Sequence, residues 1–179
     1  MNFRLEEAIE ILERTPGTLA RLLGGLSDGW LHADEGEGTW TPSQVVDHLV
    51  EAEHTNWIPR LIVLLEQGET ATFPPFDRFS HLREKSESSV ADKCRAFESI
   101  RRENVTRLRS LIESDDCLER KGLHPAFGPV TAAELIAAWV VHDLTHLSQI
   151  VRVMAGRYRT DVGPYREYLS VLKREDKAE

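Results

Sequence analysis

The sequence is poor in several features that would each point to a protein class. It holds two cysteines, Cys94 and Cys117, too few for a disulfide framework. Neither has a Cys or His at metal-ligand spacing, so both read as small packed side chains, and such usage fits a reducing cytoplasm. No apolar run approaches the roughly 18 residues of a membrane span. The first residues, Met1-Asn-Phe-Arg-Leu-Glu-Glu7, are acidic and lack an unbroken apolar run, which argues against a secretory signal. Positive charge is scarce too: 22 Lys and Arg stand against 30 Asp and Glu, a net charge of −8. A nucleic-acid binder needs a cationic surface to displace counterions from phosphates, so that class is disfavoured. The basic groups present, Arg101 and Arg102 with Arg107 and Arg109, and Arg152 to Arg159, read as solvated helix surface or helix C-terminal charge.

Catalytic signatures are also missing. The chain has no Gly-x-Ser-x-Gly elbow, no Gly-x-Gly-x-x-Gly, and no phosphate loop ending in Gly-Lys-Ser/Thr. Glu51-Ala-Glu-His54 supplies at most one Glu-x-x-His, and a di-iron bundle needs one on each of two helices. No internal repeat, low-complexity tract or convincing apolar alternation is present, so no strand is expected.

What remains is an ordinary globular mix, 41% hydrophobic and 29% charged, long enough for one domain over residues 1–179 with a core that needs no staples. The pattern predicts helices. The first spans about Phe3 to Leu26, with Leu5, Ala8, Ile9, Leu12, Leu19, Leu22, Leu23 and Leu26 at helical spacing, a kink at Pro16 and a stop at Gly24-Gly25. The second starts at the capping box Thr41-Pro42-Ser43-Gln44, bends at Pro59 and ends at Gly68. Residues 68–88 form a long irregular connection. Its Phe73-Pro-Pro-Phe-Asp-Arg-Phe79 segment is too aromatic for a free linker and should pack on the domain or cover a site. The third helix runs from Ser88 or Ser89 to about Leu111. The fourth opens at a second capping box, Thr131 to Glu134, and ends at Gly156. A short helix from Pro164 to Leu172 and a charged, fraying tail over about 173–179 complete the chain. Four helices of about 24 residues, each roughly 36 Å long, make an all-α four-helix bundle.

Seven histidines stand at 32, 48, 54, 81, 124, 142 and 146. His142-Asp-Leu-Thr-His146 puts two rings on one helix face, close enough to share a metal ion. Spacing alone is weak, because seven histidines give such a pair by chance in roughly one chain of four. The face says more. On a helical wheel at about 100° per residue, Trp139, His142, His146, Gln149 and Val153 all fall within about 40° of Leu135. Two rings and an amide on an apolar stripe need a common explanation, because buried polar groups are costly when unbonded. A metal ion held by neutral imidazoles is one; a hydrogen-bonded polar patch is the other.

A third ligand would come from another helix. His48, at the edge of the stripe made by Val45, Leu49, Ala52 and Val63, is the best placed. His54 lies about 120° away and should face solvent. Glu51 could approach the site but reads more readily as surface. His32, His81 and His124 read as solvated, with His124 having some claim as a cleft residue. Three histidines without a fourth protein ligand would leave positions for water or substrate. Asp143 stands where a zincin has its general-base Glu, so that mechanism is excluded. It reads as a carboxylate bracing a neighbouring histidine or as surface charge.

These residues resemble the DinB / YfiT-like superfamily of four-helix-bundle metal enzymes. The likeness rests on Trp40-Thr-Pro-Ser-Gln-Val-Val-Asp-His48, on Trp139-Val-Val-His-Asp-Leu-Thr-His146 and on Phe127-Gly-Pro-Val-Thr131. It implies an up-down-down-up bundle with residues 68–88 as the crossover, a divalent metal on His48, His142 and His146, and a homodimer. Characterised relatives include transferases and isomerases that use low-molecular-weight thiols. The expectation is a metal-dependent enzyme acting on a small molecule, in which metal activates a thiol or a water for attack on an electrophile. Zinc is favoured on availability and nickel is the alternative. A non-catalytic metal- or ligand-sensing dimer is the competing reading. The catalytic residues beyond the ligands, the substrate and any thiol cosubstrate stay open at this stage.

Overall fold

The computed structural model describes residues 2–83 and 88–173. Eight α-helices are present among them: α1 (Leu5–Leu23), α2 (Asp28–Leu31), α3 (Pro42–Thr55), α4 (Trp57–Gln67), α5 (Ser80–Arg83), α6 (Val90–Leu111), α7 (Asp115–Glu119) and α8 (Ala132–Gly156). Local chemistry sets the boundaries of the long ones. Thr41 and Thr131 each accept the backbone N–H three residues on, and Gln44 and Glu134 return the bond to the cap's own N–H. Ser89 caps α6 through Asp92 N–H. Pro16 leaves α1 continuous.

The second long helix is interrupted, though not at the expected residue. The break falls at Asn56, between α3 and α4, and Pro59 sits in the first turn of α4. A proline there has no N–H to leave unbonded within the helix. The disruption therefore falls one turn earlier, on the carbonyl side.

Two core clusters fix the direction of each rod. One joins Ile9 and Leu12 of α1, Ile58, Leu61 and Leu64 of α4, Val105 and Leu108 of α6, and Ile136 and Trp139 of α8. The other joins Leu19 and Leu23 of α1, Val45, Val46 and Leu49 of α3, Cys94 and Phe97 of α6, and Ile150 of α8. The first cluster thus takes the start of α1 and α8 but the end of the α3–α4 rod and α6. The order is up-down-down-up. α1 and the α3–α4 rod both pack against α6 and α8. Because the two middle rods run the same way, the chain must return along the bundle between α4 and α6.

A β-hairpin corrects the expectation of a strandless chain. β1 (Lys121–His124) pairs antiparallel with β2 (Gly128–Thr131), in the register Lys121 with Thr131 and His124 with Gly128. Four-residue strands holding glycine and proline are too short for a period-two pattern to register. The signal lies in the turn, where Pro125–Phe127 is followed by Gly128 at φ 74°, a left-handed conformation that glycine takes without steric cost. The hairpin packs tightly: a Cβ at Gly122 would stand 2.6 Å from the Phe73 ring and 3.0 Å from Leu64. The expected C-terminal helix is instead two 3-10 turns, Gly163–Tyr168 and Ser170–Leu172. The expected frayed tail lies outside the described residues from 174 onward. No described helix is long and apolar enough to cross a membrane.

Candidate metal centre

Between the two clusters the bundle carries polar groups rather than hydrocarbon. His48 comes from α3, one and a half turns after its capping box; His142 and His146 come from successive turns of α8. One ring nitrogen from each lies within 4.8 Å of the other two. His142 Nε2 stands 3.1 Å from His48 Nε2 and 3.1 Å from His146 Nε2. Gln149 Oε1 lies 2.8 Å from His146 Nδ1, which fixes that proton on Nδ1 and leaves the Nε2 lone pair facing its neighbours. His48 Nδ1 and His142 Nδ1 are buried without a hydrogen-bond partner.

All three imidazoles are held neutral. Burial, then the neighbouring His146 and His81 rings, push His48 down to about 3. Burial, then His146, His48 and Arg101, push His142 down to about 2. Burial lowers His146 as well, against the opposing pull of Gln149 and Asp143. A neutral imidazole with a free lone pair is the form that ligates a metal.

Aromatic side chains wall the cluster. The Trp40 ring stacks on His146 at 6.0 Å and contacts His48 at 4.7 Å. Trp57 meets His142 edge to face at 5.0 Å, and Phe76 from the crossover lies 5.7 Å from His48. The aromatic crossover therefore does cover a site. His81, expected in solvent, belongs to the same wall: its ring contacts Trp40 at 4.6 Å and His48 at 5.2 Å, and both of its nitrogens are buried without hydrogen bonds. Burial lowers it to about 4. The reason is α5, a single turn that folds the crossover back onto α3.

His54 and His32 are exposed, and His124 is half-buried in β1. Glu51 is half-exposed and outside the histidine group. Asp143 is not surface charge, and its hydrogen bonds go to an arginine rather than to a histidine. It is fully buried, and it accepts from Arg101 Nη1 at 2.6 Å and Nη2 at 3.0 Å. Arg101 is likewise not a surface cation: it is 1% exposed and also donates to Glu53 Oε1 at 2.7 Å and the Leu12 carbonyl at 2.9 Å. Trp139 Nε1 and Asn104 Nδ2 donate to the same Glu53 carboxylate. This network spans α1, α3, α6 and α8 directly beside the histidines. Composition makes Arg101 a surface charge and gives Glu53 no role; only their positions on the inner faces of α6 and α3 mark them as buried.

A four-helix bundle of this topology, with a largely buried three-histidine cluster between its rods, is a scaffold able to hold a metal ion. The chain belongs to the DinB superfamily, whose sequence profile matches residues 11–150. It is 24% identical over 148 residues to a Bacillus subtilis (strain 168) protein named “Putative metal-dependent hydrolase YfiT”, a match covering 81% of each chain. A Bacillus mycoides (strain KBAB4) protein with the same description is 26% identical over 146 residues, covering 82% of this chain and 83% of that one. The solved structure of YfiT from Bacillus subtilis superposes with a TM-score of 0.73 at 22% identity, covering 85% of this chain and 86% of that one. It is described as having an unusual four-helix bundle topology, in keeping with the fold found here.

Proposed function

We propose that this protein is a metal-dependent enzyme of hydrolase type, with a divalent ion held by His48, His142 and His146 and a small electrophile as substrate. One observation carries the reading. Three Nε2 atoms converge, and His142 Nε2 touches both others at 3.1 Å. A single proton on His142 Nε2 can bond only one of those neighbours. The other neighbour is then left facing a nitrogen that can neither donate to it nor accept from it, which is unfavourable in a desolvated site. A cation at the centre turns all three Nε2 lone pairs into favourable contacts.

The donor set fits zinc, and imidazoles accept nickel as readily. Such an ion supplies Lewis acidity toward a water or an electrophile's oxygen. The chain's own residues do the rest. Gln149 holds the His146 tautomer, while Trp40, Trp57 and Phe76 keep the surroundings dry. The Arg101–Asp143 pair anchors the α8 turn between the two ligands. Among the described residues no fourth histidine, cysteine or carboxylate joins the group, which leaves positions for water and substrate. The names carried by the Bacillus relatives favour water over a thiol as the attacking group.

The test is hydrolysis of an activated aryl ester by zinc-loaded and chelator-treated protein, with and without added low-molecular-weight thiol. Zinc-dependent turnover that needs no thiol and is lost in His142→Ala supports the reading. Turnover that appears only with thiol assigns the site to thiol transfer instead, and turnover unaffected by chelation or by His142→Ala contradicts a metal enzyme.

A further inference from the structure

Three cationic side chains are buried among the described residues: Arg101, Lys93 and Arg60. Two are matched by carboxylates. Arg101 holds Asp143 and Glu53, and Lys93 Nζ lies 2.6 Å from Asp47 and 2.9 Å from the Ser43 hydroxyl. Arg60 is different. It is 8% exposed, yet among the described residues no carboxylate comes within ion-pair distance of it. Its Nη2 donates to the Pro74 carbonyl at 3.1 Å, its Nε is buried without a partner, and its Nη1 faces His124 Nε2 at 3.5 Å. A buried charge without a counter-charge is costly, so such a group ordinarily has an ion to meet.

His124 shows where that ion goes. Its Nδ1 accepts the backbone N–H groups of Ala126 at 3.1 Å and Phe127 at 3.3 Å, so Nδ1 carries no proton. The neutral ring must then carry its proton on Nε2. Arg60 Nη1 also carries only protons. Two donors therefore face each other across 3.5 Å, with no acceptor between them. The Phe127 ring stacks on His124 at 4.4 Å and Arg60 lies over Phe73, so both donors are held from the sides.

We propose that Arg60 and His124 form an oxyanion subsite, in which one oxygen of a carboxylate or phosphate accepts from Arg60 Nη1–H and His124 Nε2–H together. An oxygen seated at about 2.8 Å from each nitrogen, the length of a charge-assisted bond, fits that gap. Two runs of contacts lead from the subsite to the histidine cluster. Arg60 follows Trp57 by three residues of α4, about 4.5 Å of rise, and the Trp57 ring stands against His142. Pro74, which holds Arg60, is two residues from Phe76, which packs on His48. Combined with the function proposed above, on which this last step rests, the geometry makes the substrate an anionic molecule, held by its acid group while its reactive bond reaches the histidines.

The experiment titrates isotope-labelled protein, metal-free and zinc-loaded, with sodium acetate, inorganic phosphate or sodium chloride at matched ionic strength. The readouts are the His124 ring nitrogens and the Arg60 Nε–H resonance. A saturable shift with acetate or phosphate but not chloride is expected, with affinity reduced at least tenfold in His124→Phe and in Arg60→Lys. Preference for acetate assigns a carboxylate; preference for phosphate assigns a phosphate. His124→Phe lies on the half-buried hairpin and keeps the test available should Arg60→Lys fail to fold. No saturable shift, or unchanged affinity in His124→Phe, overturns the subsite and leaves water as the bridge. Zinc binding that survives such a failure leaves the metal enzyme standing; anion binding without zinc binding overturns the enzyme and keeps the subsite.

Discussion

Asp143 and His142 are chain neighbours about 100° apart on α8 that serve different partners: the Asp143 carboxylate grips Arg101 at 2.6 Å and 3.0 Å, while the His142 ring meets His48 at 3.1 Å. One turn of α8 thus serves both the ion-pair network and the histidine cluster. Burial of Arg101 alone would disfavour its charge, but the Glu53 and Asp143 carboxylates raise its pKa above the ordinary guanidinium value. Asp143→Asn leaves that cation half-compensated. The expected cost is about 3 kcal/mol or more, because removing one partner of a buried pair strands the other charge. Arg109→Met, which removes exposed contacts to Glu6 and Glu13, should cost less than about 1 kcal/mol. Urea midpoints of the two variants make the comparison, and equal losses would contradict it.

Gln149 touches no other histidine of the cluster, yet it sets the orientation of His146 through the 2.8 Å contact to Nδ1. Groups that hold a ligand's second nitrogen typically contribute 10- to 100-fold to metal affinity. Gln149→Ala should weaken zinc binding by a factor in roughly that range, read by competition with a chromophoric chelator. Unchanged affinity would show that Trp40 stacking alone orients the ring.

The neutral histidines make the metal-free protein sensitive to acid. His48 and His142 are held at about 3 and about 2 in the fold, against 6.5 for the free side chain. As pH falls through 6.5 the unfolded chain takes up protons and the folded one does not, so stability present above pH 6.5 is lost on acidification. Between pH 7 and pH 5 each of the two should account for about 2 kcal/mol of that loss. Urea midpoints of metal-free protein at the two pH values check this, and His142→Phe should shrink the difference by about its own share of 2 kcal/mol, the lowered His81 and His146 keeping the rest.

Gly122 lets the hairpin reach the bundle. An added methyl would meet the Phe73 ring at 2.6 Å and Leu64 at 3.0 Å. Gly122→Ala should therefore destabilise by about 1–3 kcal/mol, the usual range for overpacking. Thermal unfolding is the check. Gly17→Ala, at a position with nothing within 4 Å, is the control and should not destabilise.

The bundle was legible because its boundaries are written in local chemistry: both capping boxes stand where Thr41-Pro42 and Thr131 placed them, and α8 ends at Gly156. The hairpin was not, because its strands are too short to show a period and Gly122 has no side chain to betray its packing. The three histidines stood out by type and spacing, but the face of α8 was read about 50° away from its true centre. Ile136, Trp139, Asp143 and Ile150 form the buried stripe, with His146 toward one side and His142 half-buried at its edge. Leu135 and Val153 are buried as well, but a stripe centred on them and the histidines leaves Ile136, Ile150 and Asp143 on its far flank. Arg101 and Glu53 were hidden too, as charged residues that sit on the inner faces of α6 and α3. His81 was hidden for another reason: a connection with no periodicity gives no face to read.

The most direct measurement is elemental analysis of untagged protein after zinc loading and exhaustive dialysis, made on the wild type, His142→Ala and His54→Ala. The account predicts about one ion per chain in the wild type and in His54→Ala, whose ring is exposed, and almost none in His142→Ala. Equal metal in all three, or none in the wild type, would contradict a three-histidine metal centre.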